Sequence, residues 1–161
     1  MFDPRDTLFS PIRDRTVTAC IYADMDGLLS GVKKALDAAA EIGLAVDYTL
    51  DEGADLVSGD MILQVHGTPI QIAKAEDRLI GCLAKTSGIA TAARRFVNAA
   101  GPSVQIVCGS WKKMPLCMKD DIRLAICTGG AKCRISDVPM VYLDKNYVSM
   151  LGGIQASLSA A

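Results

Sequence analysis

Histidine is almost missing from this chain: His66 is the only one in 161 residues. Six cysteines are present, Cys20, Cys82, Cys108, Cys117, Cys127 and Cys133, but no two are spaced Cys-x-x-Cys. Together these two shortages argue against a zinc site. An excess of charge is missing too: 17 basic against 18 acidic residues leave a net charge of −1, which favours neither nucleic acid nor an anionic membrane as partner. No apolar run approaches the roughly 20 residues of a membrane span. The start, Met-Phe-Asp-Pro-Arg-Asp, is charged where a secretion signal would be apolar, so the expected location is the cytoplasm, with the thiols free. Internal repeats and low-complexity segments are absent as well.

What remains is an ordinary globular composition, 50% hydrophobic and 22% charged, long enough for one domain or two small ones. Thr16–Ala23 is rich in β-branched and aromatic residues and reads as a strand; Asp24–Gly27 breaks it. Leu28–Ile42 carries Val32, Leu36, Ala39 and Ala40 at helical spacing, and Gly43 closes it. Ala45–Leu50 and Asp60–Gly67 read as strands around a turn at 51–55. Pro69 suits a helix start, and Ile72, Ala75, Leu79, Ile80 and Leu83 form its apolar stripe. Ser87-Gly88 is expected to bend or break that helix, and Gly101-Pro102 marks the domain boundary.

Beyond the boundary, Val104–Cys108 and Val138–Leu143 are short apolar runs of the kind found in strands buried on both faces, with a helix from Lys119 to Cys127 between them. Strand, helix, strand is the crossover unit of a parallel sheet. Two such strands cannot close a barrel, which takes about eight. A further helix is expected from Leu151. The most informative stretch, Gly129–Tyr147, contains the second run: a glycine pair, the cluster Lys132-Cys133-Arg134, the apolar run, and the cluster Asp144-Lys145-Asn146. The glycine pair either lets backbone N–H groups approach a phosphate or caps the preceding helix.

Several segments, in order, resemble the quinolinate phosphoribosyltransferases, the carboxylating nicotinate-nucleotide pyrophosphorylases. They are Asp26–Gly31, Gly59–Gly67, Ala75-Glu76 with Ser87-Gly-Ile-Ala-Thr91, and Ser110–Tyr147. The resemblance implies an α/β fold: an N-terminal α/β sandwich domain, here 1–101, and the beginning of an incomplete parallel α/β barrel, here 102–161. It implies a reaction of NAD biosynthesis, quinolinate plus phosphoribosyl pyrophosphate giving nicotinate mononucleotide, carbon dioxide and pyrophosphate. It also implies a dimer in which one subunit's N-terminal domain completes its partner's site. Magnesium is implied by the resemblance, but the family's acidic ligands lie on later barrel strands that this sequence does not contain, so no cofactor is assigned.

Carried over position by position, the family's cations survive only in part. The arginine after the long helix's glutamate is Asp77, with Arg78 one place on. Threonine-arginine-lysine is Ser110-Trp111-Lys112, and a further arginine and lysine are Met118 and Ile122. Histidine-arginine is Cys133-Arg134, and lysine-aspartate-asparagine-histidine is Asp144-Lys145-Asn146-Tyr147. A dicarboxylate is held by convergent cations making charge-assisted hydrogen bonds, so Asp77 and Asp144 replace attraction by repulsion.

Lys112 and Arg134 are therefore the expected substrate-binding residues, with surface cations as the alternative; Arg78, Lys145 and Asn146 are secondary candidates, and no catalytic residue is assigned. Cys133 is either a thiol activated by Arg134 or a small filler. Trp111 either stacks on a flat ring or covers a loop. His66 is read as a strand residue without a catalytic role. The expected function is that of a truncated, divergent family member with little or no phosphoribosyl transfer by itself, binding an anionic small molecule and forming a homo- or hetero-oligomer. The alternatives are a non-catalytic assembly partner of a full-length homologue, and a transferase of altered ring specificity completed by another chain. Unpaired barrel-strand edges would make an isolated monomer poorly soluble.

Overall fold

The chain's first regular element is decided by Asp3, whose carboxylate accepts the Arg5 N–H and starts helix α1 (Pro4–Leu8); the computed structural model describes residues 3–161. Strand β1 (Val17–Tyr22) follows, then β2 (Gly27–Leu28), helix α2 (Val32–Ile42), and strands β3 (Ala45–Thr49), β4 (Asp55–Leu56) and β5 (Met61–Gly67). Helix α3 (Pro69–Ala100) comes next, then α4 (Leu116–Thr128), α5 (Lys145–Met150) and α6 (Ile154–Ala160). The main sheet has the order β1-β5-β3, antiparallel throughout, with Ala19 opposite Val65 and Ala45 opposite His66. The most buried strand, β5, takes the centre; β2 and β4 make a separate two-stranded pair.

Leu63 and Val65 share one core with Ala35 and Ala39 of α2 and Ala75, Leu79 and Leu83 of α3. Small residues on α2 bring the two helices close. Just before α2, at Gly31 with φ +92°, an added Cβ would stand against Thr86 Oγ1 and 2.6 Å from the Cys82 carbonyl oxygen. That contact explains why α2 begins at Val32 and not, as the periodicity predicts, at Leu28: Leu28 is spent on β2, and Gly31 has a left-handed backbone. The orphan N–H groups of Gly31 and Val32 donate to Glu52 Oε2 at 2.8 and 3.0 Å.

At the other end, Thr68 and Gln71 form a capping box at the start of α3, with Pro69 in the first turn. Gln71 Nε2 also donates to the Ile42 and Gly43 carbonyls at 3.1 and 3.0 Å, closing the end of α2.

Helix α3 runs unbroken for 32 residues, about 48 Å at 1.5 Å per residue, so the expected interruption at Ser87-Gly88 does not occur. Ser87 Oγ instead accepts the Ser30 N–H at 3.0 Å, and Thr86 Oγ1 lies 2.6 Å from the Ser30 and Cys82 carbonyls. These hydroxyls lash the loop before α2 to the helix, and Thr86 also bonds back to the Cys82 carbonyl of its own helix. The helix stops where Gly101 takes a positive φ of +73°.

The second half of α3 carries a second core: Ala93, with Ile89 and Val97, against Ile122 and Ile126 of α4, Ala131, Ile106 and Trp111. Leu28, Ala90 and Ala125 form a third small cluster, where β2, α3 and α4 meet. The segment 104–108 does not become the expected buried strand. It makes one parallel bridge, Val107 to Lys132, through Cys108 N to Lys132 O (2.8 Å) and Lys132 N to Ile106 O (2.9 Å). The segment 138–143 is not a strand either; Val138, Met140, Val141 and Tyr142 are exposed. Apolar runs of this kind need a strand on each side and a cover on each face, and among the described residues neither is supplied. The helix read as Lys119–Cys127 extends to Leu116–Thr128, and the one expected from Leu151 is two short helices around Gly152-Gly153.

Candidate substrate-binding site

The 3-10 turn Ser110–Lys113 holds Trp111 and Lys112 between the parallel bridge and α4. It is pinned by Trp111, whose Nε1 donates to the Cys133 carbonyl at 3.1 Å. The indole's ring is covered by the Arg123 guanidinium, 4.0 Å from the centroid, and Arg123 is in turn held by Asp120 at 2.7 Å. The tryptophan is thus a loop anchor. Its neighbour Lys112 is exposed and reaches over the Tyr142 ring, 5.7 Å from the centroid.

Arg134 directly follows the residue that anchors Trp111, so one hydrogen bond brings the loop of Lys112 and the backbone of Arg134 together. Arg134 is exposed, whereas Lys132 is engaged by Asp137 at 2.6 Å. Lys145 and Asn146 sit exposed in the first turn of α5, three and four residues beyond Tyr142. The adverse Asp144 has a structural use: its Oδ1 accepts the N–H groups of Asn146 (2.9 Å) and Tyr147 (3.2 Å) as the cap of α5.

Arg78 is not brought to this cluster. It lies on the first half of α3 and faces Glu41 at 3.6 Å. Eleven residues separate it from Ile89, where the second core begins, roughly 16 Å along the axis. Asp77 beside it pairs with Arg5 at 3.1 Å.

The glycine pair resolves as structure. Gly129 ends α4 and is pressed on α3, where an added Cβ would meet the Ala90 carbonyl and Ala93 Cβ at 2.5 Å; Gly130 has φ +86°. Cys133 is not activated by Arg134. Burial, then its contact with Cys127, pushes its thiol up to about 11, the opposite direction from the activated reading. Cys82 and Cys108 are partly buried against the first and second cores, and Cys20 is partly exposed. His66 Nδ1 lies 2.8 Å from the Asp47 carboxylate across the β3–β5 ladder.

Sequence reasoning missed a groove of about 780 Å³ between β1–β2 and α3. Its walls include Tyr22, Met25, Ile80 and Phe96, all exposed, with Asp26 and Arg95 as polar members. Ile80 was expected in the core stripe; it lies on the groove instead. At 100° per residue, Gly88, Ala92 and Arg95 face almost opposite to Ala90, Ala93 and Val97, so the groove and α4 occupy opposite sides of α3. The available signal was the small residues Ala84, Gly88 and Ala92 at every fourth position. Among the described residues no three His, Cys, Asp or Glu side chains gather. No helix there is long and apolar enough to cross a membrane.

An antiparallel N-terminal sandwich on a long helix, followed by one parallel bridge with basic loops, defines an α/β protein of sandwich-and-crossover type. Residues 6–87 match the family model "Quinolinate phosphoribosyl transferase, N-terminal domain", and the chain belongs to that family. Quinolinate phosphoribosyltransferase (decarboxylating) 1b of Nicotiana tabacum is 26% identical over 149 residues, which are 91% of this chain and 42% of that protein. The chain therefore spans less than half the length of this relative. Among solved structures, NadC from Streptococcus pyogenes matches with a TM-score of 0.79 at 21% identity, over 96% of this chain and 57% of that one. Nicotinate-nucleotide pyrophosphorylase from Ehrlichia chaffeensis matches with a TM-score of 0.80 at 18% identity, over the same shares, 96% and 57%.

Proposed function

We propose that this chain is a quinolinate phosphoribosyltransferase-like protein of NAD biosynthesis that binds an anionic small molecule through Lys112 and Arg134 and by itself transfers little or no phosphoribosyl group. One observation carries the reading: Asp77, at the position where the family resemblance puts a substrate-binding arginine, is paired with Arg5 at 3.1 Å, and Arg78 is turned to Glu41. The cations that remain at the site are exposed, so each works against solvent screening. Purified chain is incubated with quinolinate, phosphoribosyl pyrophosphate and magnesium, and pyrophosphate release is followed. No release above the uncatalysed rate is expected; robust turnover would overturn the proposal.

A second reading, an assembly partner of a full-length homologue, is favoured by the apolar groove on the face of α3 away from α4. It expects the two chains to co-purify, and Phe96→Asp to separate them. A chain that stays alone at every concentration, with or without the homologue, removes this reading. The domains 1–101 and 102–161 and a cytoplasmic location belong to the same proposal.

A further inference from the structure

Cys127, exposed near the C-terminal end of α4, has its Sγ 3.7 Å from Cys133 Sγ. The bond length of a disulfide is about 2.05 Å, so side-chain torsions must close only about 1.7 Å. The five residues between them are already fixed. Gly129 is wedged against Ala90 and Ala93, and Lys132 is held by both hydrogen bonds of the parallel bridge. Cross-linking two points that the fold already holds together adds little strain. Cys108, by contrast, has its Sγ turned to Ser110 Oγ at 3.2 Å.

We propose that Cys127 and Cys133 are a thiol–disulfide modification site that a low-molecular-weight disulfide oxidises. The exposed Cys127 thiolate attacks one sulfur of the oxidant, forming a mixed disulfide and releasing one thiol. The Cys133 thiolate then attacks Cys127 Sγ, forming the internal disulfide and releasing the second thiol. Two protein thiols are oxidised, one small disulfide is reduced, and the two protons leave on the released thiols. The order follows from access: Cys133 is partly buried, with Arg123 O at 3.5 Å, and its raised pKa makes it the slower first attacker. The Cys133 carbonyl is also the acceptor of Trp111 Nε1, so oxidation is transmitted to the one tryptophan and to Lys112 beside it.

The test uses oxidised glutathione on the purified chain, read by intact mass, peptide mapping and tryptophan fluorescence. The expected product is lighter by about two hydrogens, shows the tryptic peptide Leu124–Lys132 joined to Cys133-Arg134, and has altered Trp111 emission. Cys133→Ser is expected to stop at a glutathione adduct on Cys127, and Cys117→Ala to behave as wild type. A persistent glutathione adduct on wild-type Cys127, a bond to Cys108 or Cys117, or no reaction would each overturn the proposal. Peptide mapping of the wild-type chain decides the matter even where a serine variant fails to fold.

Discussion

The Thr128 hydroxyl donates to Glu52 Oε1 at 3.1 Å while Oε2 of the same carboxylate caps the first N–H groups of α2. One side chain in a turn therefore joins the start of one helix to the end of another. Glu52→Ala removes both functions and leaves two helix N–H groups without their partner. A loss of about 1–2 kcal/mol is expected, measured by urea denaturation. Glu52→Gln keeps one acceptor oxygen and loses less.

Gly31 and Gly88 make a matched pair of opposite sign. Gly31→Ala puts a methyl into Thr86 and the Cys82 carbonyl at a φ of +92°, and is expected to cost about 2–4 kcal/mol. Gly88 is mid-helix with nothing within 4 Å of an added Cβ, so Gly88→Ala is expected to stabilise by about 0.5–1 kcal/mol. Thermal unfolding of the two variants separates them.

Lys34 of α2 pairs with Asp121 of α4, and this hydrogen bond, against the opposing effect of burial, raises the Lys34 pKa. A pKa raised on folding gives stability that is complete below the unfolded lysine value and is lost as pH climbs through the folded one. The pair is partly exposed, so its contribution is under about 1 kcal/mol. The stability gap between wild type and Lys34→Met is expected to be constant around neutral pH and to shrink only in the alkaline range above the ordinary lysine pKa. A gap that narrows below about pH 8 would show that another group governs it.

Asp77→Asn breaks only the Arg5 pair, whose two side chains are 36% and 71% exposed, so the thermal unfolding midpoint is expected to stay that of the wild type. Calorimetric titration with quinolinate checks the cation site separately. Arg134→Ala and Lys112→Ala are each expected to weaken binding about tenfold, ~1.4 kcal/mol, whereas Lys85→Ala leaves it unchanged.

Particular residues show where the sequence was legible. The strand at Val17–Tyr22, the α2–β3 break at Gly43 and the α3 start at Pro69 all carry local signals, and each stands where those signals put it. Val104–Cys108 and Val138–Leu143 carry an equally clear apolar pattern, yet the pattern states only that such a segment suits a double-sided burial; the neighbours that confer it are not written in the segment. Ser87-Gly88 misled because its hydroxyl is satisfied across the core by Ser30 and not within its own turn. Of the candidate site, Lys112 and Arg134 were named through the family resemblance alone, and the hydrogen bond from Trp111 to the Cys133 carbonyl, which ties their neighbouring residues, carries no local sequence signal. The groove was hidden because Ile80 and Phe96 look like core residues when only helical spacing is read.

Helix α3 contributes Leu79 and Leu83 to one core and Ala93 to the other, with Ala90 at the junction. Each core has a helix of its own, α2 in the first and α4 in the second, and α3 is the helix they share. Loosening either half exposes helix turns that the other half packs against, so the two cores are coupled through one helix and share its hydrogen-bond ladder around Ala90. Amide exchange there is expected to require opening of the whole chain, while the amides of α5 and α6 are expected to exchange through local opening.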